Sequence, residues 1–297
     1  MKRSELNIKE HGVEGPYGVL SPMEVREHRD RLLSYVNEVR STGKGQGALA
    51  VTPFDSEQHP FAQALLPLIK HPNVMKVLRD ALGEVVLLRG VNVFSKPPSG
   101  GKGEVATDPF DRGQLYPIQW HWDDPFPPGG EDNSLTAWIA LTPSTPESGC
   151  VRYVLGSHRF PVERDDPSDR GQLTFQQDEW PFDEQYPIHN GTLEAGEILL
   201  HHSAIVHGSG PNLSNQSRIG IALRVFAPEA PHQVTGSRIG MLLGEPSAAV
   251  EEVLSSAGIQ AKPSISITWW DGQRQNVESM NQSNRYPRPT VHRAFGA

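Results

Sequence analysis

The stretch RIGIALRVF at 218–226 alternates without a break. On a strand of period two, Ile219, Ile221, Leu223 and Val225 share one face, and Arg218, Gly220, Ala222 and Arg224 share the other. A helix would scatter both sets around its axis. The aliphatic face needs an apolar layer over it. The opposite face sets two arginines around two very small residues, as if space had been left for something anionic. A solvated strand also places arginines opposite aliphatics, but has little use for Gly and Ala between them. The chain is therefore expected to build a sheet with one greasy side and one side that is either basic and roomy or turned to solvent.

The rest of the sequence reads as a chain of short strands behind a helical start. Twenty-eight glycines and 26 prolines supply frequent turns and disfavour a helical bundle. Residues 1–20 read as a polar arm or loop. Ser21-Pro22 reads as a cap and first helical residue, with Val25, Leu32, Leu33, Val36 and Val39 as the apolar stripe to Arg40. Residues 41–47 (STGKGQG) are a loop, because neither a preceding strand nor a Gly-Lys-Ser/Thr makes them a phosphate loop. A second helix is expected over 60–82, with a break at His71-Pro72, and a strand over 84–95. Further strands are expected at 114–123, 134–142, 150–155, 192–200, 201–206 and 218–226, and a helix at 238–254. Ile265, Ile267, Trp269 and Trp270 mark a packed segment in the tail. No strand–helix alternation supports a doubly wound sheet or a TIM barrel. The expected fold is mainly β (α+β), a β-sandwich or jelly roll with flanking helices, as one domain over 1–297. Its helical part covers about 20–82, its core about 84–228, and its C-terminal helix and tail 229–297.

A net charge of −8 without long charge blocks argues against nucleic acid or an anionic membrane as partner. The lone Cys150 rules out an internal disulfide. No signal-like or membrane-spanning apolar run is present, so the expected location is cytoplasmic.

Chemistry enters with His121-Trp122-Asp123 and His207. Residues i and i+2 of a strand point the same way, so His121 and Asp123 can share a face. A His-x-Asp alone is weak evidence in a chain with 12 histidines. His207 adds to it: it closes the apolar run 198–206, just before Gly208-Ser209-Gly210. The 86 residues back to His121 leave room for several antiparallel strands to bring it home. Two histidines and one carboxylate form the ligand set of a facial iron(II) site with open positions. In 134–142, Leu135, Ala137, Ile139 and Leu141 form a packing face, and Trp138 looks the other way with Thr136 and Ala140.

Taken together, His121-Trp122-Asp123, SLTAWIALTPSTPESGCVRYVLGSHR, GEILLHHSAIVHGSGPN and RIGIALR resemble the phytanoyl-CoA dioxygenase family of iron(II)/2-oxoglutarate oxygenases. The resemblance runs from about 114 to 226 and implies a double-stranded β-helix, a jelly-roll barrel. It implies Fe(II) as metal, with His121, Asp123 and His207 as ligands and catalytic centre. It also implies 2-oxoglutarate as cofactor, its distal carboxylate on Arg218, with Ser209 and Trp138 as further cofactor contacts. An arginine fork suits that carboxylate where lysine does not. The implied reaction uses dioxygen, releases succinate and carbon dioxide, and hydroxylates a small organic molecule such as an amino acid or secondary metabolite. Halogenating relatives replace the carboxylate ligand, and this chain keeps Asp123.

Two alternatives stay open: the same cofactors with desaturation, epoxidation or cyclisation as outcome, and a non-catalytic jelly-roll metal-binding protein. Arg218 speaks against the second, since a bare metal site needs no anion anchor. Arg224 and Arg152 are the candidate substrate contacts. The stretches 97–113 and 159–190, with Lys102, Arg112, Arg164 and Arg170, are candidate lids. His201 and His202 read as supporting or packing residues, His158 as structural, and Cys150 as a buried strand residue.

Overall fold

The computed structural model describes residues 6–41, 48–52, 60–98, 118–123, 133–159, 174–175, 185–227, 239–243, 248–256, 260–262 and 266–270. Helix α1 (Ile8–His11) and strand β1 (Val13–Gly18) come first, where a polar arm was expected. Val13 is fully buried, and β1 pairs antiparallel with β9 (Glu197–His202). The segment is polar by composition yet acts as an edge strand, a role set by its neighbour rather than by its own sequence. Its turn requires Gly12 (φ 73°), since a Cβ there would stand 2.6 Å from His158 Nδ1 and 2.9 Å from Ile205 Cδ1.

Helix α2 (Pro22–Ser41) starts as the sequence predicts. Ser21 N–H donates to the Glu24 carboxylate at 2.7 Å, and Glu24 N–H donates to Ser21 Oγ at 3.3 Å, a capping box. The second helical stretch is indeed broken at His71-Pro72, giving α3 (Pro60–Ile69) and α4 (Pro72–Leu82) with His71 as the second cap.

Two sheets follow. The larger has the order β1–β9–β5–β11–β3–β12–β13, where β3 is Leu87–Lys96, β5 Ser134–Ala140, β11 Arg218–Phe226, β12 Ile239–Leu242 and β13 Gln260–Lys262. Strand β2 (Ala48–Thr52) joins it at β3 and carries β14 (Ser266–Trp270). The smaller has the order β7–β4–β10–β6–β8, with β4 at Ile118–His121, β6 at Val151–Val154, β7 at Thr174–Phe175, β8 at Ile188–Asn190 and β10 at His207–Ser209. Among the described residues all strand pairings are antiparallel except that of β12 with β13.

Two expectations are corrected here. The helix expected over 238–254 is strand β12 followed by the shorter α5 (Ala248–Ser256). Pairing of Met241 and Leu242 with β3 overrides local helix preference. The two expected strands 192–200 and 201–206 are one strand, β9, followed by a turn at 203–206. The tail segment around Trp269 and Trp270 is strand β14 against β2.

The alternation of β11 sorts two cores. Ile219, Ile221, Leu223 and Val225 join Leu135, Ala137, Ile139, Val91 and Val93 against helix residues Leu32, Leu65, Leu68, Val74 and Leu78. Ala222, Trp138 and Ala140 face the smaller sheet, with Val151, Tyr153 and Leu155 opposite. Helices therefore cover the back of the larger sheet, and its other face is turned toward the smaller sheet.

Candidate metal and anion site

His121 and His207 are direct partners across the β4–β10 ladder. Their rings lie 4.3 Å apart between centroids. His207 does not close an apolar strand as the sequence reading had it. The chain leaves the larger sheet after His202, buries Ala204, Ile205 and Val206 in the corner, and enters the smaller sheet at His207. The corner is tied by Ala204 N–H to His202 Nδ1 at 3.0 Å and Val206 N–H to Ser157 Oγ at 2.8 Å. His207 Nδ1 lies 3.0 Å from the Ile205 carbonyl, which can only accept, so Nδ1 carries the proton and Nε2 keeps its lone pair.

Asp123 lies just past β4 and reaches across to the larger sheet. There His201, Thr136 and Arg224 are neighbours in one row over β9, β5 and β11. Thr136 Oγ1 donates to Asp123 Oδ2 at 3.0 Å, and Arg224 Nη2 donates to Oδ1 at 3.0 Å. His201 Nε2 stands 3.5 Å from Oδ2, while its Nδ1 is 3.2 Å from the buried Tyr153 hydroxyl. The Nε2 atoms of His121 and His207 are 3.9 and 3.8 Å from Oδ1. One ligand atom from each of His121, Asp123 and His207 lies within 4.8 Å of the others. Two ligands at right angles around one ion stand about 3 Å apart, so small side-chain shifts close the set on a metal.

Electrostatics suit that use. Burial pushes the Asp123 carboxyl up, but the Arg224 guanidinium, His207 and His201 outweigh it and hold it well below the ordinary range. Burial presses His207 down to about 4 against the pull of Asp123. At neutral pH Asp123 is therefore ionised and His207 neutral with its Nε2 lone pair free, the forms that bind a metal.

Along β11, away from this triad, the next inward residues are Ala222, Gly220 and Arg218. A Cβ on Gly220 would collide with Trp138 Cζ2 and lie 2.7 and 2.9 Å from Cη2 and Cε2. The space over Gly220 thus holds the Trp138 indole, and not an anion as the small residues had implied. Arg218 lies over that indole, 5.1 Å from its centroid, and is 2% exposed. Its Nε and Nη1, and Trp138 Nε1, are buried without a hydrogen-bond partner among the described residues.

Directly opposite Arg218 in the β3–β11 ladder stands Lys96, 3% exposed, which the sequence reading missed. Its Nζ donates to Ser209 Oγ at 2.6 Å and to the Gly210 carbonyl at 2.5 Å. Burial first, then the Arg218 charge, lowers the Lys96 amine to about 7. Burial brings Arg218 down to about 10. Two buried cations without a carboxylate partner among the described residues make a pocket end that favours an anion. A clue lay in β3: Val91 and Val93 are buried in the helix-side core, so Asn92, Phe94 and Lys96 share the opposite side.

Tyr153, paired with His207, faces into the pocket, so Arg152 points to the other face of the smaller sheet. It stacks there on Trp120 at 4.8 Å. His158 is structural as expected, its Nε2 3.1 Å from the Lys9 carbonyl. Cys150 is free and buried, and burial raises its thiol. Most of 97–113 and 159–190 lies outside the described residues, including Lys102, Arg112, Arg164 and Arg170.

The sequence model of the phytanoyl-CoA dioxygenase (PhyH) family matches residues 8–220, well over half of the chain. The chain belongs to the phytanoyl-CoA dioxygenase family. The resemblance drawn from its motifs is thereby borne out. Among curated relatives, a probable alpha-ketoglutarate-dependent hypophosphite dioxygenase from Stutzerimonas stutzeri is 29% identical over 175 residues, 58% of this chain and 56% of that protein. The ectoine dioxygenase of Nocardia farcinica (strain IFM 10152) is 28% identical over 178 residues, 56% of each. The chain thus spans little more than half the length of these relatives. The solved structure of the non-heme monooxygenase ThoJ superimposes with a TM-score of 0.61 at 20% identity, covering 86% of this chain and 95% of ThoJ. The epimerase SnoN, in complex with Fe3+, alpha ketoglutarate and nogalamycin RO, gives 0.54 at 20% identity, covering 81% of this chain and 88% of SnoN. At such identity these likenesses establish the fold: mainly β, built as the double-stranded β-helix that the PhyH resemblance implied.

Proposed function

We propose that this chain is an iron(II)- and 2-oxoglutarate-dependent dioxygenase that hydroxylates a small organic molecule. One observation carries the reading. A two-histidine, one-carboxylate triad and the buried guanidinium of Arg218, whose Nε and Nη1 have no partner among the described residues, both stand on inner faces of the two sheets. In this reading His121, Asp123 and His207 hold the metal through Nε2, Oδ1 and Nε2. Arg218 and Lys96 receive the distal carboxylate of 2-oxoglutarate, with the Ser209 hydroxyl and Trp138 Nε1–H as further donors. When bound, iron and 2-oxoglutarate supply the activation of dioxygen, one oxygen atom entering succinate as carbon dioxide leaves and the other entering the substrate.

The chain's own residues do the rest by position. Thr136 keeps Oδ2 occupied and so turns Oδ1 toward the two histidines. The Ile205 carbonyl fixes the His207 tautomer. Trp138 and the apolar residues around it exclude water from the anion end. Asp123 fills the ligand position that a halogenase leaves open. The relatives' names, hypophosphite and ectoine dioxygenases, support a small molecule as substrate. The net charge of −8 gives a large polyanion such as an acyl-CoA no special support.

The test is succinate release from 2-oxoglutarate under air with iron(II), with and without pools of small metabolites. Iron-dependent succinate that a chelator and His207→Ala both abolish supports the reading. Succinate no greater than in the His207→Ala control, with every pool, contradicts it.

A further inference from the structure

Strand β11 carries a cation at each end of its pocket face, and the two are built differently. Arg218 is sealed, with its guanidinium over an indole and opposite a buried lysine. Arg224, six residues and about 20 Å of strand away, keeps 35% of its side chain exposed. Among the described residues only one of its donor atoms, Nη2, is committed, to Asp123 Oδ1. Its Nε is buried without a partner among the described residues. A guanidinium has five N–H donors in a fixed plane, so one bond to Asp123 orients it without saturating it.

That bond also fixes where Arg224 can act. Oδ1 is the Asp123 oxygen nearest to the Nε2 atoms of both His121 and His207. Any anion on the remaining donors of Arg224 is therefore held beside the triad, on its solvent-reaching side. A purely structural partner for Asp123 needs no exposure, and Thr136 already donates to Oδ2.

We infer that Arg224 is the substrate-recognition residue, and that the substrate is a small molecule carrying a carboxylate or comparable oxyanion close to the bond that reacts. The inference rests on the dioxygenase reading. The pocket then has two anion subsites: a sealed one at Arg218 and Lys96 for the cosubstrate, and an open one at Arg224 for the substrate. A forked guanidinium selects for the planar two-oxygen group over a neutral amide of the same shape.

The experiment uses the full chain with iron(II) and 2-oxoglutarate without oxygen, following the visible charge-transfer band of the chelate. Monocarboxylates of two to six carbons are titrated beside their amides, in the wild type, Arg224→Gln and Arg224→Lys. The expected result is at least one carboxylate that perturbs the wild-type band at tenfold lower concentration than its amide. That preference falls to about one in Arg224→Gln and to an intermediate value in Arg224→Lys. Equal response to carboxylate and amide in the wild type, or a preference that survives Arg224→Gln, overturns the inference while the band itself leaves the cofactor reading standing. A wild type with no band removes the dioxygenase reading, and this inference with it.

Discussion

Gly220→Ala is a one-methyl perturbation whose consequence can be worked from the structure. The new Cβ would overlap Trp138 Cζ2 and stand 2.7 and 2.9 Å from Cη2 and Cε2. The indole is 4% exposed and walled by Ala140, Leu199, Ala222 and Phe94, so it cannot swing aside freely. Overpacking of this kind costs about 1–3 kcal/mol. For a domain of this size that lowers Tm by about 2–10 °C. The functional effect is the more telling one. Arg218 rests 5.1 Å from the displaced ring, so its guanidinium moves with it and 2-oxoglutarate binding weakens. A forked carboxylate contact tolerates little displacement, and a loss of about tenfold in affinity is expected. The assay is a double-mutant cycle with Trp138→Phe, which removes the benzo atoms that collide, scored by Tm and by 2-oxoglutarate titration. A coupling of about 1 kcal/mol or more, with Gly220→Ala costing less in the Trp138→Phe background, is predicted. Strict additivity, or a Gly220→Ala protein with unchanged Tm and affinity, refutes the packing argument.

Two further outcomes are expected. The Lys96 amine falls from 10.5 to about 7 in the folded chain. Between those values the unfolded chain binds more protons, so without ligand the stability rises as pH climbs from about 7 toward 10.5. 2-Oxoglutarate favours the charged amine, so its affinity falls as pH rises past about 7. Denaturation and titration series that show both trends in the wild type, and neither in Lys96→Met, check this; a trend that persists in Lys96→Met contradicts it. Thr136→Val removes the donor that holds Asp123 Oδ2 at nearly constant volume. Iron(II) affinity then drops about 10–100-fold, as for other residues that orient a ligand, read by competition with a metal-sensing dye. An unchanged affinity would mean that Arg224 alone positions the carboxylate.

What the sequence made legible follows from the range of the forces involved. Strand β11 runs over the residues its alternation marks out, and that alternation also separates the helix-covered core from the pocket. His121, Asp123 and His207 were found by type and order, and the structure brings them together. Local pattern does not carry partners set by strand register. Lys96 reads as a polar strand end before two prolines until pairing sets it opposite Arg218. Thr136 and His201 matter because β5 and β9 align them with Arg224 in one row. Gly220 was read as room for a ligand because a sequence does not say which neighbour fills a gap, and here a tryptophan from β5 does. Residues 13–18 and 239–242 are strands by virtue of the edges they meet, against their own weak preferences.

The central claim is that one pocket holds iron(II) at His121, Asp123 and His207 and 2-oxoglutarate at Arg218. Anaerobic titration of the metal-free protein with iron(II) and 2-oxoglutarate tests it directly, through the weak visible charge-transfer band of the chelate. The account predicts a band in the wild type, none in His207→Ala, and in Arg218→Ala a band that needs at least tenfold more 2-oxoglutarate. A wild type that takes up iron yet develops no band, or a band indifferent to both substitutions, contradicts it.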